Sequence, residues 1–249
     1  MKIGLIGFGK TGKSVASVIL QHPDCSLEWV VRNSTQLEHR SAAEYLGIDS
    51  ADPAHIYAKS NIQFDLFFKE HPVDFIIDFS LPEVIYEYGE FAVRHQIGII
   101  SAISHYNEET ITYLKKLANE TVVFWSPNIT LGVNYLLFAG KFLKKIAPWV
   151  DIEVIEEHFK EKSGISGTAL RIAEALEINK SEINSVRVGG IIGRHEVIFG
   201  FPYQTVRLIH ESISREAFGN GVMFVAQNLQ SKEKGFYQFE DILLPYFSG

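Results

Sequence analysis

The sequence predicts an α/β protein in two parts, a parallel sheet wrapped by helices followed by an α+β segment with an open mixed sheet. Three observations carry this. From residue 1 to about residue 128, short apolar runs alternate with helical segments, the pattern of a parallel sheet with helical crossovers. Around Ser126-Pro127-Asn128 that alternation stops, and a long apolar helix leads into strands rich in β-branched residues. From Arg215 to Asn228 the pattern returns to helix, expected to pack back on the first part. The expected domains are therefore 1–128, completed by 215–249, and 129–214.

The elements follow in order. Met1 to Ile6 is an apolar strand, and helix is expected from about Lys13 to Leu20. Leu27 to Val31 and Val73 to Asp78 read as the next strands, with Ser34 to Pro72 an unusually long connection in which Gln63 to Glu70 is helical. Pro82 and Glu83 sit where helix starts prefer them, opening a helix to about His95. Strand Ile97 to Ser101, helix Asn107 to Ala118 and strand Thr121 to Trp125 complete a second mononucleotide-type half. Beyond it come helix Leu131 to Ala147, the alternating strand Asp151 to Glu156, and a helix after Ser166-Gly167-Thr168. Strands are then expected over Ile183 to Ile192, Glu196 to Gly200 and Gln204 to Ile213, forming a sheet with helices on one face.

Gly7-Phe8-Gly9-Lys10-Thr11-Gly12 joins the first strand to the first helix. In that context G-x-G-x-x-G is a pyrophosphate cradle: glycines permit a tight turn and close backbone approach, and the anion sits on the helix N-terminus. The first part is thus a Rossmann-type domain, with Gly7, Gly9, Lys10, Thr11 and Gly12 as cofactor contacts. Arg32 stands at the tip of the second strand, where an NAD-dependent enzyme usually carries an acid for the ribose hydroxyls. With Asn33 and Ser34 it suits a 2′-phosphate better than a free diol, so NADPH is the expected cofactor, NADH being possible.

A net charge of −7, with no long basic run, argues against nucleic-acid and anionic-membrane partners. No apolar stretch approaches a membrane span, and Met1 to Ile6 is too short for a signal-peptide core. Cys25 is the single cysteine, which excludes an intrachain disulfide and fits a reducing cytoplasm. No metal is expected.

The densest group of functional side chains runs from Glu156 to Thr168. A strand ends in His158, a loop carries Lys162, and Ser166-Gly167-Thr168 opens a helix whose exposed amides and hydroxyls suit a carboxylate. Lys162 is placed to add positive charge or donate a proton, with His158 orienting or sharing it. Read singly, each has a plainer role: His158 a satisfied structural group, the lysines a solvated face, Ser166 a helix cap.

These residues resemble the signature E-x-H-H-x-x-K-x-D-x-P-S-G-T-A of the 4-hydroxy-tetrahydrodipicolinate (dihydrodipicolinate) reductase family of bacterial lysine and diaminopimelate biosynthesis. The chain keeps Glu156, His158, Lys162, Ser166, Gly167, Thr168 and Ala169 of it. Further matches are Asp78-Phe79-Ser80, Pro127-Asn128, Gly132-Val133-Asn134, Val186-Arg187, Gly193 with His195-Glu196, His210, Ser214-Arg215 and Gly235-Phe236-Tyr237.

The resemblance implies reduction of a cyclic imine dicarboxylate by hydride delivery to C4 of its ring. Lys162 would be the proton donor, His158 its partner, and Ser166, Gly167 and Thr168 the grip on a substrate carboxylate. Phe79, Ser80, Ser101, Ser126, Pro127 and Asn128 would lie along the nicotinamide side, and the open sheets of the second domain would join in a homotetramer. The chain departs from the family where Phe159 replaces the second histidine, and where the Lys162 to Ser166 spacing is one residue short and lacks Asp and Pro. The glycine loop is one residue tighter, and Ser101-Ala102-Ile103-Ser104 stands in place of Gly-Thr-Thr-Gly. The alternatives are a sister reductase acting on a related imine or amino-acid-derived substrate and a non-catalytic dinucleotide-binding sensor.

Overall fold

A computed structural model describes residues 1–52 and 54–247; residues 53, 248 and 249, which fall within the expected long connection and C-terminal segment, lie outside the described residues. The chain forms two compact units. The first is Met1–Ile129 with the segment from Phe218 onward, and the second is Thr130–Ala217.

In the first unit β1 (Lys2–Ile6), α1 (Lys10–Leu20), β2 (Ser26–Arg32), α2 (Ala42–Leu46) and β3 (His55–Ala58) lead to α3 (Phe64–Glu70) and β4 (Phe75–Asp78). Then follow α4 (Ile85–Arg94), β5 (Gly98–Ser101), α5 (Glu108–Leu117) and β6 (Val122–Trp125). The seven-stranded sheet has the order β11-β6-β5-β4-β1-β2-β3, its strand β11 (Gly235–Tyr237) coming from the C-terminal segment. Every pairing in it is parallel. The chain thus leaves β1 first to one side and then to the other, which makes the carboxyl ends of β1 and β4 the switch point where such sheets bind ligands. Ile3, Leu5, Val30, Ile76, Ile77, Ile99 and Ile100 are fully buried, as expected of strands covered on both faces.

The sequence reading of the long connection omitted β3 and α2. β3 has only four residues, too few to show a periodicity of its own, and α2 has five and lies between the positive-φ residues His39 and Ala54. Helix α1 starts at Lys10 rather than Lys13, with Gly9 as its N-cap, so Thr11 and Gly12 belong to its first turn. Helix α4 starts at Ile85, because the residues after Pro82 first make a tight turn closed by Val84 N–H to the Leu81 carbonyl at 3.1 Å.

The second unit contains α6 (Leu131–Ile146), β7 (Asp151–His158), α7 (Gly167–Ala175), β8 (Ile183–Arg187), β9 (Arg194–Phe201) and β10 (Gln204–Glu211). Its sheet order is β10-β9-β7-β8, with β7 parallel to β8 and β9 antiparallel to both its neighbours. β8 stops at Arg187, short of the expected Ile192, because Gly189 turns the chain at φ +54°. Val133, Leu136 and Leu137 of α6 and Ile172 and Ala173 of α7 pack on Val154, Val197 and Phe199, covering one face of the sheet. On the strand positions of the other face, Arg194 bridges Glu157 (2.5 Å) and Glu196 (2.7 Å), and Arg207 pairs with Glu196. The last helices are α8 (Glu216–Leu229), which enters the first unit at Phe218, and α9 (Phe239–Leu243). Among the described residues no helix is long and apolar enough to cross a membrane, and no cluster of His, Cys, Asp and Glu is arranged to hold a metal ion.

Candidate active site

The first unit carries a cavity of about 380 Å³ at its switch point, lined by Gly7, Phe8 and Gly9, by Arg32, Asn33 and Ser34 at the end of β2, by Phe79 and Ser80 after β4, and by Lys59. Two glycines are demanded by backbone contact. Gly7 has φ +103° and a Cβ there would lie 2.6 Å from the Phe79 carbonyl; a Cβ on Gly12 would lie 2.0 Å from the Gly7 oxygen. At Gly9, in contrast, the space a Cβ would fill is open. No side chain caps α1, so its first-turn amides at Lys10, Thr11 and Gly12 stay available to an anion. The open cradle, the uncapped helix and the cation at Arg32 together fit a dinucleotide.

Arg32 is steadied by donating from Nη1 to the Gln36 carbonyl at 2.7 Å. Lys59, a lining residue the sequence reading did not single out, is ion-paired with Glu87. Under the rim lies Asp78, 0 % exposed, which accepts from Ser80 N–H (2.8 Å), Ser80 Oγ (2.5 Å) and the Tyr88 hydroxyl (2.9 Å). Burial pushes this carboxyl up to about 6, against the pull of those hydrogen bonds. Its bonds shape the turn that presents Phe79 and Ser80. Ser101 is buried at the end of β5, hydrogen-bonded to the Tyr106 hydroxyl at 2.8 Å. Ser126 follows β6, its N–H reaching the Ser101 carbonyl (3.1 Å) and its Oγ the Asn128 carbonyl (2.6 Å). Ser101, Ser126, Pro127 and Asn128 thus share the sheet's carboxyl edge with Gly7 and Phe79, without lining the cavity itself.

The second unit gathers His158 and Ser166 around one buried carboxylate, Glu156, to which the backbone of Lys162 is tied through Arg187. Strand alternation puts Ile152, Val154, Glu156 and His158 on the covered side of β7, so Glu156 is 0 % exposed and must be compensated. It is, by the Arg187 Nη1 (3.0 Å) and Nη2 (2.5 Å), Ser185 Oγ (2.6 Å), Ser166 N–H (3.3 Å) and His158 Nδ1. Burial alone would raise Glu156, but Arg187, Ser185 and His158 outweigh it and hold the carboxyl at about 2. An ionised Glu156 can only accept, so it fixes the His158 proton on Nδ1 and leaves Nε2 bare. Burial, together with the nearby cations Lys162 and Arg187, lowers the His158 pKa more than Glu156 raises it, which favours the neutral ring near pH 7.

Arg187 is the residue whose importance the sequence hid. Besides Glu156 it donates to the Lys162 carbonyl from Nε (3.0 Å) and to the Gly164 carbonyl from Nη2 (2.5 Å), so one guanidinium pins the short loop that carries Lys162. The signal was available: a carboxylate in the buried phase of an alternating strand calls for a cation on a neighbouring strand, and Arg187 is the register partner of His158. Ser166 caps α7, its Oγ accepting from Ala169 N–H at 3.0 Å, and it also meets His195 Nε2 at 3.0 Å. Gly167 borders open space, Thr168 lies in the first turn of α7, and Phe159 is 38 % exposed beside His158.

Comparison with known proteins agrees across the chain. The family model described as dihydrodipicolinate reductase, N-terminus, matches residues 1–129, and that described as dihydrodipicolinate reductase, C-terminus, matches residues 132–243. The 4-hydroxy-tetrahydrodipicolinate reductase of Caldanaerobacter subterraneus subsp. tengcongensis is 31 % identical over 72 % of this chain and 80 % of its own. That of Rickettsia rickettsii is 27 % identical over 97 % of this chain and 98 % of its own. The dipicolinate-bound dihydrodipicolinate reductase of Paenisporosarcina sp. TG-14 has the same fold, with a TM-score of 0.80 at 19 % identity over 96 % of this chain and 97 % of that one. The chain is an NAD(P)H-dependent oxidoreductase, and it belongs to the dihydrodipicolinate reductase family.

Proposed function

We propose that this enzyme reduces the conjugated cyclic imine dicarboxylate that 4-hydroxy-tetrahydrodipicolinate becomes when its 4-hydroxyl leaves as water, giving tetrahydrodipicolinate in lysine and diaminopimelate biosynthesis, with NADPH preferred. The observation that carries the reading is the buried Glu156–Arg187–His158 cluster beneath Lys162 and Ser166. A reduced nicotinamide supplies the hydride. Lys162 gives the proton that neutralises the charge left on the ring, and its ammonium stabilises that charge as it develops. His158, with Nε2 bare, accepts a hydrogen bond and orients; it does not donate. Ser166, Gly167 and Thr168 hold one carboxylate of a dipicolinate-like ligand at the N-terminus of α7. Arg32, Asn33 and Ser34 receive the 2′-phosphate.

Phe159, apolar and half-exposed where the family carries a second histidine, supports one other reading, a sister reductase whose substrate makes one polar contact fewer. The test is the loss of NADPH absorbance with enzymatically generated 4-hydroxy-tetrahydrodipicolinate, compared with cyclic imines lacking one carboxylate. Equal rates with both would favour the sister reaction. A homotetramer is supported by the Arg194–Glu196–Arg207 network beside the half-exposed Ile209 and Val186, an open sheet suited to self-association. Sedimentation is expected to show four chains of 28.1 kDa together; a single chain at micromolar concentration would contradict this. The lone Cys25 supports a cytoplasmic setting.

A further inference from the structure

Ser166 is 2 % exposed and His195 4 %, and the 3.0 Å contact between Ser166 Oγ and His195 Nε2 can be made with the proton on either atom. The remaining contacts decide which. Burial drives the His195 pKa down to about 3, helped by His158 and His210, so the ring carries a single proton. Its Nδ1 is buried and has no hydrogen-bond partner among the described residues. A proton on Nδ1 would be a buried N–H donor with nowhere to go, the rarer and costlier kind of orphan, whereas a bare Nδ1 leaves only an unused lone pair. The proton therefore belongs on Nε2, donated to Ser166.

That assignment has a consequence for the serine. A hydroxyl oxygen accepts two hydrogen bonds and donates one. Ser166 Oγ already accepts from Ala169 N–H at 3.0 Å as the cap of α7. With His195 donating as well, both acceptor positions are filled, and the hydroxyl hydrogen has to be donated to a third group. The ring is held for this task between His158, edge-on at 5.3 Å, and His210, stacked at 6.5 Å. Next to it Gly167 leaves open space.

We propose that His195 is a positioning residue for the substrate site: by donating from Nε2 to Ser166 it commits the serine hydroxyl to serve as a hydrogen-bond donor to the anionic group bound at the start of α7. This rests on the reading of Ser166 as a carboxylate contact. His195 itself touches no substrate. It converts a hydroxyl that would otherwise be free to point either way into a fixed donor, so that binding a carboxylate requires no reorientation.

Two measurements test this. Long-range proton–nitrogen NMR on protein labelled at histidine nitrogens is expected to show His195 protonated at Nε2 and bare at Nδ1; the reverse tautomer overturns the proposal. Dipicolinate affinity with NADPH present is then compared in three variants. His195→Leu is expected to weaken dipicolinate about ten-fold, the scale of one charge-assisted hydrogen bond, while His195→Gln, whose amide N–H can replace Nε2–H, stays within about three-fold of wild type. A merely structural ring would leave both variants equally impaired, and that result, or unchanged affinity in His195→Leu, overturns the inference. Ser166→Ala separates the two levels. If it binds dipicolinate as well as wild type, the carboxylate reading of Ser166 fails and the inference with it. If it loses affinity while His195 proves to be the Nδ1–H tautomer, only the inference fails.

Discussion

Asp78 in the first unit and Glu156 in the second are both completely buried carboxylates at the carboxyl ends of strands, yet their partners drive them in opposite directions. Asp78 is surrounded by neutral donors, the Ser80 amide and hydroxyl and the Tyr88 phenol, and burial lifts it to about 6. Glu156 faces a guanidinium fork as well as hydroxyl and ring donors, and it stays ionised, at about 2, in spite of burial. Hydrogen bonds alone offset part of the cost of burying a charge; a hydrogen-bonded cation offsets the rest. The first arrangement makes a rigid turn beside a cofactor cavity. The second makes a permanent anion that sets the tautomer of a neighbouring histidine.

The largest effect is expected where the anion's work reaches the chemistry. Lys162→Ala should lower turnover by about 10²–10⁴ while leaving NADPH affinity unchanged, since the lysine belongs to the second unit and the nucleotide cavity to the first. Single-turnover kinetics and a cofactor titration check it. Wild-type turnover in this variant would remove Lys162 from the mechanism.

Next comes the cation itself. Arg187→Met leaves Glu156 buried without its countercharge and frees the Lys162 and Gly164 carbonyls, so unfolding free energy should drop by about 3–5 kcal/mol. Urea denaturation measures it. A loss below 1 kcal/mol would mean that the fork is not what compensates Glu156.

The two carboxylates should also give opposite pH slopes. For Asp78 the folded pKa of about 6 exceeds the ordinary 3.8, so the folded state binds the extra proton; its contribution is full below 3.8 and is lost as pH rises through 6. For Glu156 the folded value of about 2 lies below the ordinary 4.5, so its contribution is present above 4.5 and is lost as pH falls toward 2. Each amounts to about 3 kcal/mol. Denaturation of wild type, Asp78→Asn and Glu156→Gln across this range is expected to show the wild-type advantage over Asp78→Asn growing on acidification and that over Glu156→Gln shrinking. Slopes of the same sign would end the contrast.

The smallest effect concerns cofactor choice. Arg32→Asp should weaken NADPH about ten-fold or more, a loss of about 1.5–3 kcal/mol, and shift preference toward NADH. NADPH affinity equal to wild type would take the 2′-phosphate away from Arg32.

Much of this was readable in the sequence, where the information is local. The glycine loop between a strand and a helix, the acids and caps that open helices, and the buried apolar runs depend on neighbours in the chain, so β1, β2, β4 to β6 and the Ser166 cap of α7 follow from residue order. So did the Glu156 to Thr168 cluster, because its residues lie within one strand, loop and helix start. What sequence order did not contain were partners brought in from elsewhere. Arg187 is 31 residues from Glu156 and 25 from Lys162, and His195 is 29 from Ser166. Lys59 reaches the nucleotide cavity from a connection whose strand has only four residues. Sequence alone determined which groups are present and which local turns hold them. Tertiary structure decided which of them are charged, and its contacts carry the proton assignments argued for His158 and His195, because those properties depend on burial and on partners that folding brings together.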